Sequence, residues 1–452
     1  MANARKGRDL TEGSIQAHIV RMAAPMSLGI VAMMLVGVVD AYWVGRLGTV
    51  QQAAVQFVTP VAMMVLSVSI GLGAGAVSVV SRAAGRGSQD RVRRVATDAV
   101  TLAFIAVGIV SVIGIILIDP IFIAMGASEA MMPFVREYMT IWFIGIVFVV
   151  GPMVASNILR ALGDAIVPSL VMIIAAVINL ILDPIMIFGW GIIPAMEVQG
   201  AALATLISNM IAFFIAFAVM IFRENLMDLS FPGWDEIFYN WREIARIGAP
   251  AAGSNTIGPF SSALVLATVA RYGESAVAGF GVAIRIESFV IIPLFALSGT
   301  IGAIVGQNGG AGLDARVRET FMNSFQFCFI WSMAMALLLV VSGPWLAAAF
   351  LPSEEAQDVA RLYWMIVPFS VVGYGIAMAG SAGFNGLGRP LIGVAMNVLR
   401  GLILIVPLAL LGSAFGGMNG LIWGMFIANL VAGVLIVLYV RRTSALTAVD
   451  SR

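Results

Sequence analysis

One cysteine, Cys328, and one histidine, His18, are all the chain has of these two metal-binding residue types, which excludes a disulfide framework and any zinc site of clustered Cys and His. The lone thiol reads as a small buried hydrophobe in a helix. Charge is also scarce: 11% of 452 residues, with 25 Lys and Arg against 24 Asp and Glu. That near-neutral balance gives no electrostatic footprint for nucleic acid. In its place stand 61% hydrophobic residues and a mean hydropathy of +1.02, well beyond a soluble domain of this length. The solvent around most of the chain is therefore lipid.

Apolar runs of roughly 20 residues, each able to cross a hydrocarbon core of about 30 Å, recur along the whole sequence and leave no segment for a soluble domain. Twelve spans are expected, near 18–42, 52–79, 97–118, 131–157, 166–188, 199–222, 245–270, 276–304, 320–343, 359–384, 390–412 and 417–440. Met1–Leu10, with Arg5, Lys6 and Arg8, resembles the basic flank of a signal peptide. The apolar stretch behind it runs past Pro25 to Asp40 without a small-residue cleavage site, so it is read as a retained first span. Arg82, Arg86, Arg91, Arg93 and Arg94 crowd the loop after the second span, and Arg160, Arg223, Arg242, Arg246, Arg316, Arg318, Arg389, Arg441 and Arg442 fall on the same side. The other side receives only Arg46, Arg136, Arg271 and Arg361. Since positive loops stay inside, both termini are expected to be cytoplasmic.

The most polar break, Arg223–Glu243, divides the chain into a six-span bundle over 1–222, a cytoplasmic linker over 223–243 and a second six-span bundle over 244–452. Across it the sequence repeats itself. IVRMAAP, ending at Pro25, returns as IARIGAP, ending at Pro250, a separation of 225 residues. The same offset relates Arg91 and Arg93 to Arg316 and Arg318, Tyr138 to Tyr363, and Leu162-Gly163 to Leu387-Gly388. Charged and glycine landmarks at one constant offset indicate duplication. Because six spans separate equivalent points, the halves share an orientation and form parallel repeats, with a substrate cavity expected between them.

An ionisable side chain at membrane depth is costly and marks function by default. Asp40, Asp183, Arg285 and Arg400 stand out, with Glu287 beside Arg285 in FGVAIRIESF. The offset of 225 carries Asp40 to Val265 and Asp183 to Leu408, so the acidic chemistry belongs to the first half alone. Asn179 lies one helical turn before Asp183 and shares its face; Pro184 lacks the N–H that would satisfy the Leu180 carbonyl. In the sixth span Thr205 and Asn209 are likewise a turn apart. Two carboxylates, two amides, a hydroxyl and a freed carbonyl make an oxygen site for H⁺ or Na⁺. The alternative is that Asp40 caps a helix end and Asn179 bridges helices. Arg285 can pair with Glu287 or approach a second-half cavity. The two, two residues apart, do not share a helix face, so partners on other helices are an equal alternative. Buried pairing that fixes helix positions is the structural reading for them and for Arg400.

Two other features are set aside. GLGAGAVS at Gly71–Ser78 imitates a nucleotide loop, but no strand precedes it and no lysine follows; small residues in a span serve close helix packing. The 26 methionines suit an adaptable cavity or simple membrane packing.

Several motifs in order resemble the multidrug and toxic compound extrusion (MATE) family across nearly the whole chain: VDAYWVGRLG in the first span, GAGAVSVVSRAAGRG at the exit of the second, ILRALGD after the fourth, NLILDP in the fifth, VQGAALAT opening the sixth and VGQNGGAG after the eighth. Within it the chain is similar to the DNA-damage-inducible and archaeal branch, whose functional carboxylates fall at Asp40 and Asp183. The resemblance implies that Asn179 and Thr205 lie near the coupling ion and that Tyr138 faces the first-half cavity. From their own positions in the spans, Asn209, Arg285 and Arg400 are further cavity candidates. Val36 departs from the pattern, since archaeal members often carry tyrosine there.

The implied protein is an all-α, twelve-span inner-membrane antiporter, not an enzyme. It needs no cofactor beyond H⁺ or Na⁺ and exports organic cations or other amphipathic toxins, and a monomer suffices because one chain holds both halves. Two alternatives stay open. A flippase of lipid-linked sugars would use basic cavity residues, which Arg285 and Arg400 supply. An intramembrane enzyme or channel would need a catalytic set or selectivity filter, and the sequence offers neither.

Overall fold

The computed structural model describes residues 9–443 and 446–447. Arg5, Lys6 and Arg8 lie outside the described residues. Apart from one isolated bridge between Trp190 and Ile193, regular structure among the described residues is helical. The first repeat comprises α1 (Ile15–Gly45), α2 (Thr49–Gly85), α3 (Gln89–Ala124), α4 (Met132–Ala161), α5 (Ile166–Phe188) and α6 (Glu197–Ala218), which ends in a π turn over Val219–Arg223. The second comprises α7 (Trp234–Val269), α8 (Glu274–Val290), α9 (Ile292–Gly310), α10 (Asp314–Phe350), α11 (Glu354–Ile366), α12 (Val371–Gly386), α13 (Pro390–Val398), a π segment over Leu399–Ile405, and α14 (Val406–Arg442).

These helices account for the twelve expected spans. Among the described residues, nine stretches are long and apolar enough to cross a bilayer, and the bent pair α8–α9 makes a tenth. One of the nine, Pro390–Arg442, is two spans. Gly416 (φ −131°, ψ 16°) and Gly417 (φ 59°, ψ −143°) leave the helical region within it. Residues eight apart in a straight helix are separated by about 12 Å, yet a Cβ on Gly412 would stand 2.0 Å from the Gly420 carbonyl oxygen, and one on Gly420 2.0 Å from that of Gly412. The chain therefore reverses there. The twelfth span is α7, made less apolar by Gly253–Thr256 and Ser261-Ser262; its place follows from the offset that relates it to α1.

Gly420→Leu is accordingly expected to force this hairpin apart, lowering stability by about 1–3 kcal/mol. Gly416→Ala, where an added Cβ meets nothing, should leave the melting temperature in detergent nearly unchanged. Equal melting for the two variants would show that the close approach is unimportant.

The duplication is visible in the backbone. Thr49 and Gly85, the ends of α2, stand 225 residues before Glu274 and Gly310, the outer ends of the α8–α9 pair. Glycines with positive φ recur at the same offset: Gly48, Gly87 and Gly163 at 146°, 73° and 82°, then Gly273, Gly312 and Gly388 at 95°, 72° and 75°. After α4 the Asp164 amide donates to the Leu159 carbonyl (3.0 Å), and after α12 the Arg389 amide donates to that of Phe384 (2.8 Å). Both closures turn on a left-handed glycine, the conformation a side chain would oppose.

The chain forms two compact units. One contains Pro25–Val80 and Ser88–Ala249, the other Met1–Ala24, Ser81–Gly87 and Pro250–Arg452. Within α1 and α7 the boundaries fall at Pro25 and Pro250, the repeated landmark.

Inside the first of these units the polar break is tied down rather than loose. Thr97 Oγ1 accepts from the Asp228 amide at 2.8 Å, and Arg94 Nη1 donates to the Ser230 carbonyl at 2.6 Å. The Ser230 hydroxyl and amide, at 2.6 and 3.0 Å from Asp228 Oδ1, hold that carboxyl below the usual carboxylate range. Beneath this strap the Asp98 side chain is 1% exposed and pairs with Arg94. Its Oδ2 accepts from Arg94 Nε at 3.1 Å and Asn240 Nδ2 at 2.6 Å, while Trp241 Nε1 donates to the Asp98 carbonyl at 3.0 Å. Trp234–Glu243, polar in sequence, already belongs to α7.

Candidate functional site

Asp40 lies in the last turns of α1, and Asp183 and Asn179 share one face of α5, which continues through Pro184. Asp183 is 0% and Asn179 3% exposed; Asp40 is half-buried. The structure brings the two carboxyl groups close enough to influence each other. Asn179 Nδ2 donates to Asp183 Oδ1 at 3.3 Å and to Thr205 Oγ1, on α6, at 3.4 Å. Tyr138 of α4 stands close enough for its hydroxyl to feel both carboxylates. The ring packs near Trp43, Leu47 and Val55.

What remains unsatisfied defines the chemistry. Asp40 Oδ1, Asp183 Oδ2 and Asn179 Oδ1 are buried acceptors without a hydrogen-bond donor. A buried polar atom left unpaired costs about 1–3 kcal/mol, and two adjacent carboxylates repel each other. Three orphaned oxygens, all acceptors, are an arrangement that a positive charge would satisfy: a proton between the carboxyls, or a small cation among the oxygens.

Other sequence candidates fall outside this cluster. Asn209 is turned back on its own helix, its Nδ2 donating to the Thr205 carbonyl at 2.8 Å. Arg285 is exposed on α8 and forms no ion pair with Glu287 among the described residues. Cys328 is buried and free. His18 Nε2 lies 2.6 Å from the Glu12 carbonyl oxygen.

The second repeat fills the equivalent acidic positions with oil-like side chains. Val265 belongs to its buried apolar core, and Leu408 packs against that core. It carries a different polar group instead. Tyr363, the counterpart of Tyr138, donates its hydroxyl to Glu287 Oε2 at 2.5 Å. The Arg400 guanidinium lies 4.2 Å over the Tyr374 ring and donates through Nη1 to Asn429 Oδ1 at 3.0 Å, while Asn429 Nδ2 donates to Ser370 Oγ at 3.2 Å. Sequence reasoning flagged Glu287 and Arg400 as intramembrane charges but not Tyr374, Asn429 or Ser370. Beyond those two charges, the offset that pairs Tyr363 with Tyr138 was the one signal toward this cluster.

The MatE family matches this chain twice, over residues 25–185 and 250–411, each match beginning at a proline of the repeat. The chain belongs to the MatE family. It is a multi-span membrane transporter, not an enzyme, as the motif resemblance implied. Among relatives of this MatE protein, one from Shewanella oneidensis named "FAD transporter" is 33% identical over 94% of both chains. One from Bacillus subtilis named "Probable multidrug resistance protein YpnP" is 26% identical over 96% of this chain and 97% of that one. Among solved structures, the Vibrio cholerae MATE transporter VcmN in the bent form aligns with a TM-score of 0.90 at 26% identity, over 96% of this chain and 97% of that one.

Proposed function

We propose that this MatE protein is an inner-membrane exporter, with both termini cytoplasmic, that exchanges an outgoing amphipathic small molecule for an incoming H⁺ or Na⁺. The observation carrying the reading is the Asp40–Asp183 pair, which together with Asn179 presents three donorless oxygens. A cation arriving there removes the repulsion between the carboxylates and binds α1 to α5; its departure reverses both effects. Asn179 and Thr205 hold the second carboxylate in place and supply neutral oxygens if the cation is Na⁺. Relatives whose names describe multidrug resistance and export support a broad amphipathic cargo, including organic cations that the acidic pair would attract. The FAD transporter at 33% identity favours a second cargo, a flavin dinucleotide.

In proteoliposomes carrying either an imposed proton gradient or an imposed sodium gradient, ethidium and FAD efflux should follow one gradient. It should fall to background in Asp40→Asn and in Asp183→Asn at normal protein levels. Both variants pumping at the parent rate would place the coupling site elsewhere. A parent inert towards both cargoes would turn the reading to lipid-linked cargo.

A further inference from the structure

Where the second repeat departs from the first, its departures converge. In the first repeat α2, α4 and α5 run unbroken, but each of their counterparts is interrupted. The counterpart of α2 bends by 45° between Val290 and Ile292, just after Glu287. The counterpart of α4 passes through a 3₁₀ turn over Val367–Ser370, which ends on Ser370. The counterpart of α5 opens into the π segment Leu399–Ile405, which carries Arg400. Interrupted helices gather at functional sites because they re-aim side chains. Two of the interruptions carry members of one polar cluster, and the third lies one helical turn after another member, Glu287.

Arg400 is the centre of that cluster and is under-used. Of the five N–H donors of a guanidinium, it commits one hydrogen bond, to Asn429, and its Nε is buried without a partner. No carboxylate among the described residues lies within ion-pair distance of it. Glu287 is near enough to feel its charge but is held instead by Tyr363. Tyr374 supports one face of the guanidinium and Asn429 fixes its rotation, so the remaining donors form an oriented fork. Such a fork matches the oxygens of a phosphate.

The geometry points to an anion subsite in the second repeat, in which Arg400, positioned by Tyr374 and Asn429, takes the phosphate group of an amphipathic ligand. This rests on the export reading and specifies its cargo: a molecule with an apolar or aromatic body and a phosphate, as in a flavin nucleotide. A phospholipid headgroup offers the same chemistry.

Equilibrium dialysis of the purified full chain in detergent against riboflavin, FMN and FAD tests the assignment without any gradient. FMN and FAD should bind more than tenfold tighter than riboflavin, which shares the ring but lacks phosphate. Arg400→Gln should erase that preference and Arg400→Lys retain part of it. Asn429→Asp supplies an internal carboxylate to the guanidinium and should erase the preference without removing the arginine, which covers the case of a poorly folded Arg400→Gln. Because dialysis uses no ion gradient, a failure of the coupling reading stays distinct from a failure here. If the flavins bind alike but labelled phosphatidylglycerol is retained by the parent and lost from Arg400→Gln, the phosphate belongs to lipid and the subsite stands. Equal binding of all flavins with no Arg400-dependent lipid overturns it.

Discussion

A D40V/D183L double variant is expected to melt at a higher temperature than the parent and to export nothing against a gradient. The substitutions are those the chain itself uses at the equivalent places of its second repeat, where Val265 and Leu408 form part of the apolar packing. In the first repeat two carboxyl groups occupy that depth, with Asp40 Oδ1 and Asp183 Oδ2 unpaired. Replacing buried charged groups by well-packed hydrophobic residues is often neutral or stabilising by about 1–4 kcal/mol. The parent therefore holds its carboxyl pair at the expense of stability, as the proposed coupling site requires. Thermal unfolding in detergent and gradient-driven flux in proteoliposomes check the two halves of the expectation separately. A variant that melts lower and still pumps would mean that the pair is structural.

The difference between the repeats also shows what the sequence could and could not reveal. The duplication was legible because its landmarks are rare in apolar sequence: a left-handed glycine such as Gly163 or Gly388 cannot be exchanged for a neighbour without strain, and it keeps its place in both copies. Asp40, Asp183, Asn179 and Thr205 were legible because polar residues in a hydrocarbon span have few reasons to be there, and helical spacing joined Asn179 to Asp183. The second cluster was not. Glu287 meets Tyr363, 76 residues later, and Arg400 meets Asn429, 29 residues later, so no spacing rule within one helix connects them. Nor does any residue pattern announce the π segment at Leu399–Ile405, because its apolar residues would suit an α-helix equally well. Arg285 and Arg400 looked alike in sequence; one is exposed and the other lies over an aromatic ring. The polar break misled for a related reason. Polarity marks exposure to water but not the loss of helix, and α7 begins inside it at Trp234.

Asp98→Ala should have the opposite effect to the double variant, destabilising the protein by about 3–5 kcal/mol, the usual result of removing one partner from a buried ion pair. Asp98 is as buried as Asp183, but it is satisfied: Arg94 and Asn240 both donate to its carboxylate. Its loss would leave the Arg94 guanidinium, only 9% exposed, without its paired carboxylate and with only Asp228 and Glu236 as more distant counter-charges, and would free Asn240 from α3. The strap from Asp228 to Ser230 hangs on the same two turns through Thr97 and Arg94, so the connector between the repeats should loosen with it. Limited proteolysis between Arg223 and Trp234 should accelerate alongside the fall in melting temperature. Removing both partners, in R94M/D98A, should recover part of the lost stability, because the uncompensated charge is gone. If Asp98→Ala melted like the parent, Asp98 would hold nothing in place; if the double variant were no better than the single, the cost would lie in the amide and strap contacts rather than in the charge.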